Sequence, residues 1–104
     1  MDLVRELVER LKPLDPDKII LFGSYAYGEP DEESDVDLFI VKKGADPREL
    51  KLKAYKRVRD LTLTHHKAFD IFADTPANVK KRIDEVKDQF YQEVFERGRV
   101  IYAK

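Results

Sequence analysis

The chain has 104 residues, of which 39% are charged, yet its formal net charge is only −1. A chain of this length builds one core and leaves no room for a separate substrate domain, so residues 1–104 are expected to form one domain. The balanced charge neither favours nor excludes nucleic acid, and direct nucleic-acid binding is not expected. With no cysteine and no apolar run of membrane length, the composition predicts a cytoplasmic protein that does not enter a membrane.

The first elements in chain order are a helix and two strands. Leucine and valine recur at helical spacing until Pro13, which predicts an amphipathic helix from about Asp2 to Lys12. The short apolar run Lys18–Phe22 suits a buried strand. From Asp35 to Val41 the apolar side chains alternate with a period of two, which predicts a second strand.

A second long helix follows. Asp46 is suited to the N-cap and Pro47 to the first helical position, and the apolar period that follows predicts a helix ending near Thr64. Its exposed sides could bind RNA or an acidic partner, but no aromatic stacking platform accompanies them, so a solvated face is the favoured interpretation. The basic residues on those sides are Lys51, Lys53, Lys56, Arg57 and Arg59.

The last third of the chain predicts a strand, a helix and a final strand. The strand covers Ala68–Ala73, and a third helix begins at Thr75-Pro76, carries a narrow apolar stripe that includes Val86, and ends at Gly98. Val100–Tyr102 is expected to add a short strand. The order of elements, αβ(α)βαβα, predicts an α+β fold in which helices pack on a small mixed β-sheet.

Two carboxylates at the start of the second strand indicate a metal site. Residues i and i+2 of a strand point to the same side, about 7 Å apart, so Asp35 and Asp37 lie together. Like charges in a half-buried sheet repel each other, and a divalent cation would offset that repulsion. Hard oxygen ligands of this kind suit Mg²⁺ shared with substrate phosphates. The alternative is a solvent-facing strand start beside an acidic loop.

Two further features belong to the same hypothesis. Asp70 is an isolated carboxylate in an apolar strand; it could complete the site or form a structural ion pair. Gly23 lets the backbone approach a ligand closely, and the amides that follow it, with the hydroxyl of Ser24, could hold phosphate oxygens. The alternative for Gly23 and Ser24 is an ordinary helix-capping turn.

These residues resemble the minimal nucleotidyltransferases of the polymerase-beta-like superfamily. The signature of that family is a Gly-Ser turn, then Ser-Asp-x-Asp-Leu, then a third carboxylate on a later strand. The resemblance covers nearly the whole chain. The matching positions, in order, are Gly23, Ser24, Gly28, Ser34, Asp35, Asp37, Leu38 and Asp70.

The resemblance implies a fold, an activity and a partner. It implies Mg²⁺-dependent transfer of a nucleotidyl group, AMP from ATP, to a hydroxyl such as a tyrosine of a partner HEPN-domain toxin, with this chain acting as the antitoxin. Asp35, Asp37 and Asp70 would be the catalytic residues and the ligands of two Mg²⁺ ions. Gly23, Ser24 and Ser34 would bind the nucleotide. Whether Asp70 is a ligand or the proton acceptor stays open at this point.

One departure from the family pattern favours a second hypothesis. Tyr27 stands where the family often has an arginine, so the turn lacks a nearby guanidinium for phosphate. A non-catalytic antitoxin that neutralises its partner by binding and occlusion is therefore the alternative. Transfer to a small molecule, as in larger relatives, ranks last because the chain lacks the additional domain that would enclose such an acceptor.

Three remaining features have structural and functional interpretations. Leu52 with Leu63, and Tyr91 with Phe95, fall off the inferred core faces; they predict either a partner interface or a surface covered by the C-terminal segment. The adjacent histidines 65 and 66 are expected to be a helix-terminal pair rather than metal ligands, because neighbouring side chains diverge.

Overall fold

The computed structural model describes residues 2–27 and 35–104. None of the helices in these two ranges combines the length and the apolar character needed to cross a membrane. In chain order the helices and strands are α1 (Leu3–Leu11), β1 (Lys18–Phe22), α2 (Ser24–Tyr27), β2 (Val36–Val41), α3 (Pro47–His65), β3 (Phe69–Asp74), α4 (Pro76–Asp84), α5 (Gln89–Arg97) and β4 (Arg99–Ala103).

The described strands form one mixed sheet, as the sequence predicted. Its order is β3-β2-β1-β4. β1 pairs antiparallel with both β2 and β4, whereas β2 and β3 are parallel and are joined by α3 as the crossover helix. Parallel neighbours require a crossover of this length, which explains why the long amphipathic helix stands between these two strands.

One face of the sheet packs against α1 and α3. Alternate residues of the strands point to this face and meet one apolar stripe from each helix. Asp46 caps α3 by accepting from the amide of Arg48 at 3.0 Å, in agreement with the predicted N-cap. The buried side chains of this core are Leu3, Leu7, Leu11, Ile19, Leu21, Val36, Leu38, Ile40, Leu50, Ala54, Val58, Leu61, Phe69 and Ile71.

The opposite face carries a smaller core against α4 and α5. Phe39 lies at its centre, 1% exposed, and its ring meets those of Tyr91 and Phe95 edge-on, with centroids 5.3 and 5.1 Å away. Tyr91 and Phe95 therefore belong to this core, and the prediction that they fall off the core faces was wrong. Leu52 and Leu63 do remain outside, at 63% and 78% exposure.

The predicted continuous third helix is also wrong, because the chain forms two helices there. α4 ends at Asp84 and α5 begins at Gln89. Between them Lys87 adopts a left-handed φ of 59°, and Asp88 caps the new helix by accepting from the amide of Phe90 at 2.9 Å. Val86, which the apolar stripe placed in the core, is 51% exposed. The N-cap preference of Asp88 competes with helix continuation and prevails.

Candidate active site

Asp37 lies at the centre of a row of residues that crosses three strands. In the antiparallel pair it stands opposite Phe22 of β1, and in the parallel pair it stands opposite Asp70 of β3. Strand alternation places Asp37 and Asp70 on the sheet face that packs against α4 and α5. Asp37 is half-buried, whereas Asp35 and Asp70 are exposed. The fold thus brings together two carboxylates that the whole of α3 separates in the sequence.

The electrostatics of Asp37 agree with carboxylates held close together. Burial raises the pKa of Asp37, and the neighbouring charges of Asp70 and Asp35 raise it further. The mutual repulsion expected between Asp35 and Asp37 is therefore present, and Asp70 adds to it. A cation at this row would relieve the repulsion by neutralising part of the negative charge.

Gly23 contacts Asp37 in a way that the sequence did not reveal. Its φ is +79°, a left-handed conformation that side chains rarely adopt, and a Cβ built there would lie 2.2 Å from Oδ2 of Asp37. The bare backbone of Gly23 therefore makes room for the carboxylate of Asp37 itself. The sequence pattern predicted the approach of a ligand at this glycine, because no local feature indicates the contact with Asp37.

The rest of the predicted nucleotide-binding turn is only partly described. Ser24 begins α2 by its backbone, and the amide of Ala26 donates to the carbonyl of Gly23 at 3.0 Å. Ser34, predicted to bind the nucleotide, and Gly28 of the family motif lie outside the described residues. The placement of these two residues stays a prediction.

Asp35, Asp37 and Asp70 form what we call the carboxylate row. It has the chemistry of a magnesium site but not a complete cage of protein ligands. Among residues 2–27 and 35–104, no group of three or more His, Cys, Asp or Glu side chains is arranged to hold a metal ion. Mg²⁺ does not require such a cage, since it keeps water ligands and shares its other positions with phosphates. The donor set fits it: hard carboxylate oxygens whose repulsion raises the pKa of Asp37. The number of ions stays a prediction.

The two histidines occupy the end of α3, as predicted. His65 is the last residue of the helix, and its Nε2 lies 2.5 Å from Oε2 of Glu6. His66 is the C-cap residue with a left-handed φ of 53°. Their role in the described structure is therefore to end the helix and to join it to α1.

An aromatic group lies beside the carboxylate row on the same face. The rings of Phe22, Phe72 and Phe90 form a triangle with centroid separations of 5.7, 5.6 and 5.1 Å. Phe72 and Phe90 are 36% and 39% exposed. Large apolar rings left partly exposed next to polar chemistry are available to a ligand or a partner.

The rings of Phe72 and Phe90 line one side of a pocket of about 350 Å³. We call it the aromatic–cationic pocket. Sequence reasoning missed it because it assigned Phe90 to a core stripe and Lys51 to a solvated face without rings, and only the fold brings Phe72 to Lys51. It is defined by the rings of Phe39, Phe72, Phe90 and Tyr91 and by the cations of Arg48, Lys51 and Arg82.

A buried polar network fixes α5 to the end of β3. Asp74 is 5% exposed and accepts hydrogen bonds from the hydroxyl of Tyr91 and from Nδ2 of Asn78, both at 2.6 Å, and from the amide of Thr75 at 2.8 Å. Burial and the Asp74 carboxylate raise the pKa of Tyr91, so this hydroxyl stays protonated. The network sets the position of one wall of the aromatic–cationic pocket.

A mixed sheet that sets a Gly-Ser turn against paired aspartates is the arrangement of nucleotidyltransferases. The model of the nucleotidyltransferase domain family matches residues 1–101, and the chain belongs to that family. The chain is therefore a nucleotidyltransferase, and the resemblance noted in its sequence is confirmed at the level of the family.

Known relatives agree with this assignment. A protein of Methanocaldococcus jannaschii, provisionally named protein adenylyltransferase MJ0141, is 38% identical over 82 residues, which are 79% of this chain and 75% of the relative. Two crystal structures share the fold with TM-scores of 0.60: a mutant of the toxin–antitoxin MntA–HpeT, at 12% identity over 97% of this chain and 73% of the other, and a toxin–antitoxin with AMP-PNP, at 14% identity over 99% and 75%.

Proposed function

We propose that this nucleotidyltransferase moves AMP from ATP, with Mg²⁺, to a tyrosine hydroxyl of a partner HEPN toxin in the cytoplasm and thereby acts as its antitoxin. The single observation that carries the catalytic part is the row in which Asp37 meets Gly23 on one side and Asp70 on the other. The name of the methanogen relative supports AMP and a protein acceptor, and the fold shared with the two toxin–antitoxin structures supports the toxin partner.

The residues of the row have distinct roles in this proposal. Asp35 and Asp37 would ligate Mg²⁺, with Asp70 as a further ligand or as the group that takes the proton from the attacking hydroxyl. Gly23 and Ser24 would position the phosphates, and Ser34 would assist them. When bound, Mg²⁺ supplies charge neutralisation of the triphosphate and lowers the pKa of the acceptor hydroxyl. The hydroxyl oxygen forms a bond to the α-phosphorus, and pyrophosphate leaves.

The test of the proposal is label transfer. The purified chain is incubated with Mg²⁺, ATP labelled at the α-phosphate, and the helical protein encoded beside it. We expect label on the partner, loss of label when the partner's tyrosine is changed to phenylalanine, and loss in the variant Asp35→Ala plus Asp37→Ala. Asp84→Ala, an exposed carboxylate at the end of α4, is the control and retains transfer. Transfer that persists in the double variant would overturn the catalytic proposal.

A second candidate is the binding antitoxin that acts by occlusion. The observation in its favour is the exposure of Leu52 and Leu63, which share a side of α3 outside both cores. In this case Leu52→Ser weakens partner binding and abolishes protection from the toxin, while the double aspartate variant still protects. The reverse pattern supports catalysis. Circular dichroism of Leu52→Ser controls for folding, which an exposed substitution leaves nearly unchanged.

A further inference from the structure

We infer that the aromatic–cationic pocket receives an acidic segment of the protein that accepts the nucleotidyl group. The inference rests on the proposed function and names the chemistry of its acceptor. It concerns the pocket beside the carboxylate row, not the row itself.

The pocket lies beside the carboxylate row on the side of β3. The Gly23 turn follows β1, Asp37 is on β2 and Asp70 is on β3, so the turn and Asp70 flank Asp37 on opposite sides. Phe72, a wall of the pocket, is two residues beyond Asp70 on the same side of β3, about 7 Å along the strand. A donor nucleotide held at the turn leaves the β3 side, and hence the pocket, to the acceptor.

The described lining of the pocket contains three cationic side chains and one carboxylate. Nζ of Lys51 lies 5.9 Å from the ring centroid of Phe72, and Cζ of Arg82 lies 5.2 Å from that of Tyr91. Arg48 adds a third cation, and the carboxylate in the lining, that of Asp88, is paired with Arg82 at 2.9 Å. Nε of Arg82 is buried and has no hydrogen-bond partner among the described residues. The lining therefore carries excess positive charge beside a row of negative charge.

The arrangement of the basic side chains favours a protein ligand over a nucleic acid. A single strand of nucleic acid needs a continuous basic groove along which successive bases stack. The next basic side chains of α3 do not extend the pocket in that way: Lys53 pairs with Glu49 at 2.8 Å, and Nε of Arg57 donates to the carbonyl of Arg10. An open pocket of about 350 Å³ has room for one or two side chains rather than for a run of stacked bases. An aromatic side chain on the rings with acidic neighbours on the cations matches this lining.

The inference is tested with three fluorescent peptides that each contain one tyrosine. In the first peptide the tyrosine is flanked by glutamates, in the second by serines and in the third by lysines. Fluorescence anisotropy with the full chain measures binding without turnover. We expect the acidic peptide to bind tightest, the lysine peptide to bind weakest, and the difference to shrink as salt is added. Equal binding of the three peptides overturns the inference.

Charge reversal locates the binding site. Lys51→Glu and Arg48→Glu are each expected to weaken binding of the acidic peptide about tenfold at low salt, since reversal replaces attraction by repulsion. Lys56→Glu makes the same change of charge at an exposed position of α3 outside the pocket, and it is expected to leave binding nearly unchanged. Equal weakening by Lys51→Glu and Lys56→Glu contradicts a role for the pocket. Displacement of the acidic peptide by an adenylate oligonucleotide, sensitive to Lys51→Glu, assigns the pocket to nucleic acid and also overturns the inference.

The failure of this inference differs from the failure of the proposed function. If the chain transfers label to its partner but does not distinguish the peptides, the proposed function stands and the inference falls. If the acidic peptide binds through Lys51 and Arg48 while no label is transferred to any acceptor, the preference of the pocket for acidic peptides stands, and the catalytic proposal falls together with the role of the bound segment as acceptor.

Discussion

The carboxylate of Asp37 lies against the backbone of Gly23 so closely that a Cβ on the glycine would stand 2.2 Å from Oδ2 of the aspartate. A turn and a strand that meet in this way form one unit. Movement of the turn would displace the aspartate, and a change in the position of the aspartate would displace the turn.

We predict that Gly23→Ala impairs catalysis far more than a comparable glycine change elsewhere. The left-handed conformation costs about 1–2 kcal/mol for a residue with a side chain, and the new methyl group must also displace Asp37. A misplaced catalytic group lowers the transfer rate about a hundredfold. Gly44→Ala is the matched control, because its φ is +74° and a Cβ built there would meet no described residue within 4 Å. Urea unfolding measures the loss of stability in both variants, and only Gly23→Ala should lose nucleotidyl transfer. Equal losses of activity in the two variants would contradict the contact between Gly23 and Asp37.

Asp37→Asn is expected to raise the stability of the metal-free protein while it removes activity. Asp37 is an acid whose folded-state pKa is raised, so its ionisation opposes folding. The destabilisation of the folded state by ionised Asp37 is absent below the ordinary aspartate pKa, about 3.9. It is complete above the raised pKa of the folded state. The unfolding temperature of the variant should therefore exceed that of the parent at neutral pH, and this difference should vanish as the pH falls through the window between the two pKa values. A gain that is independent of pH argues against the carboxylate charge as its source.

Mg²⁺ is expected to stabilise the parent protein and not the variant Asp37→Asn. A ligand that binds only the folded state raises the unfolding temperature by an amount that grows with the logarithm of its concentration above the dissociation constant, and carboxylates that repel each other provide the affinity. Thermal unfolding is measured with Mg²⁺ and with a chelator, with and without ATP. The shift should be smaller in Asp70→Asn and absent in Asp35→Ala plus Asp37→Ala. Asp84→Ala should keep the whole shift; if it loses the shift, Mg²⁺ is acting outside the row.

Tyr91→Phe is expected to destabilise the fold by about 1–2 kcal/mol, because the buried carboxylate of Asp74 loses one of its three donors. Asp74→Ala should cost more, about 3 kcal/mol, since it leaves the donors of Tyr91 and Asn78 unsatisfied. Tyr102→Phe, at a half-buried tyrosine of β4, is the control and should change the free energy of unfolding by less than about 0.5 kcal/mol. Urea denaturation with a constant m-value is the measurement, and equal effects of the two tyrosine changes would contradict the role of the network.

Local features of the fold could be predicted from the sequence. The strand Lys18–Phe22 has the predicted bounds, and α3 begins at Pro47 after the predicted cap. Both depend on neighbouring residues alone. The break at Lys87 could not be predicted from the apolar period, because no glycine or proline marks it and Val86 fits the stripe by spacing. The cap at Asp88 was the available signal.

The candidate site likewise combines local features, which could be predicted from the sequence, with long-range contacts, which could not. The pairing of Asp35 with Asp37 follows from strand alternation and is local. The register that sets Asp37 opposite Asp70, and the contact of Asp37 with Gly23, depend on strand pairing between distant segments, which periodicity does not specify. The aromatic–cationic pocket needs α3, β3 and α5 together, so no single segment of sequence contains its signal.

The parallel pairing of β2 with β3 has a consequence for how the chain becomes active during folding. β1 and β2 can pair across a short connection, but Asp70 reaches Asp37 only after α3 has formed and closed a long loop. Such non-local pairings form slowly because the loop entropy is lost before the contact is gained. We expect hydrogen exchange during refolding to protect β1 and β2 before β3, so a nascent or partly folded chain would hold no assembled carboxylate row and could not catalyse nucleotidyl transfer prematurely.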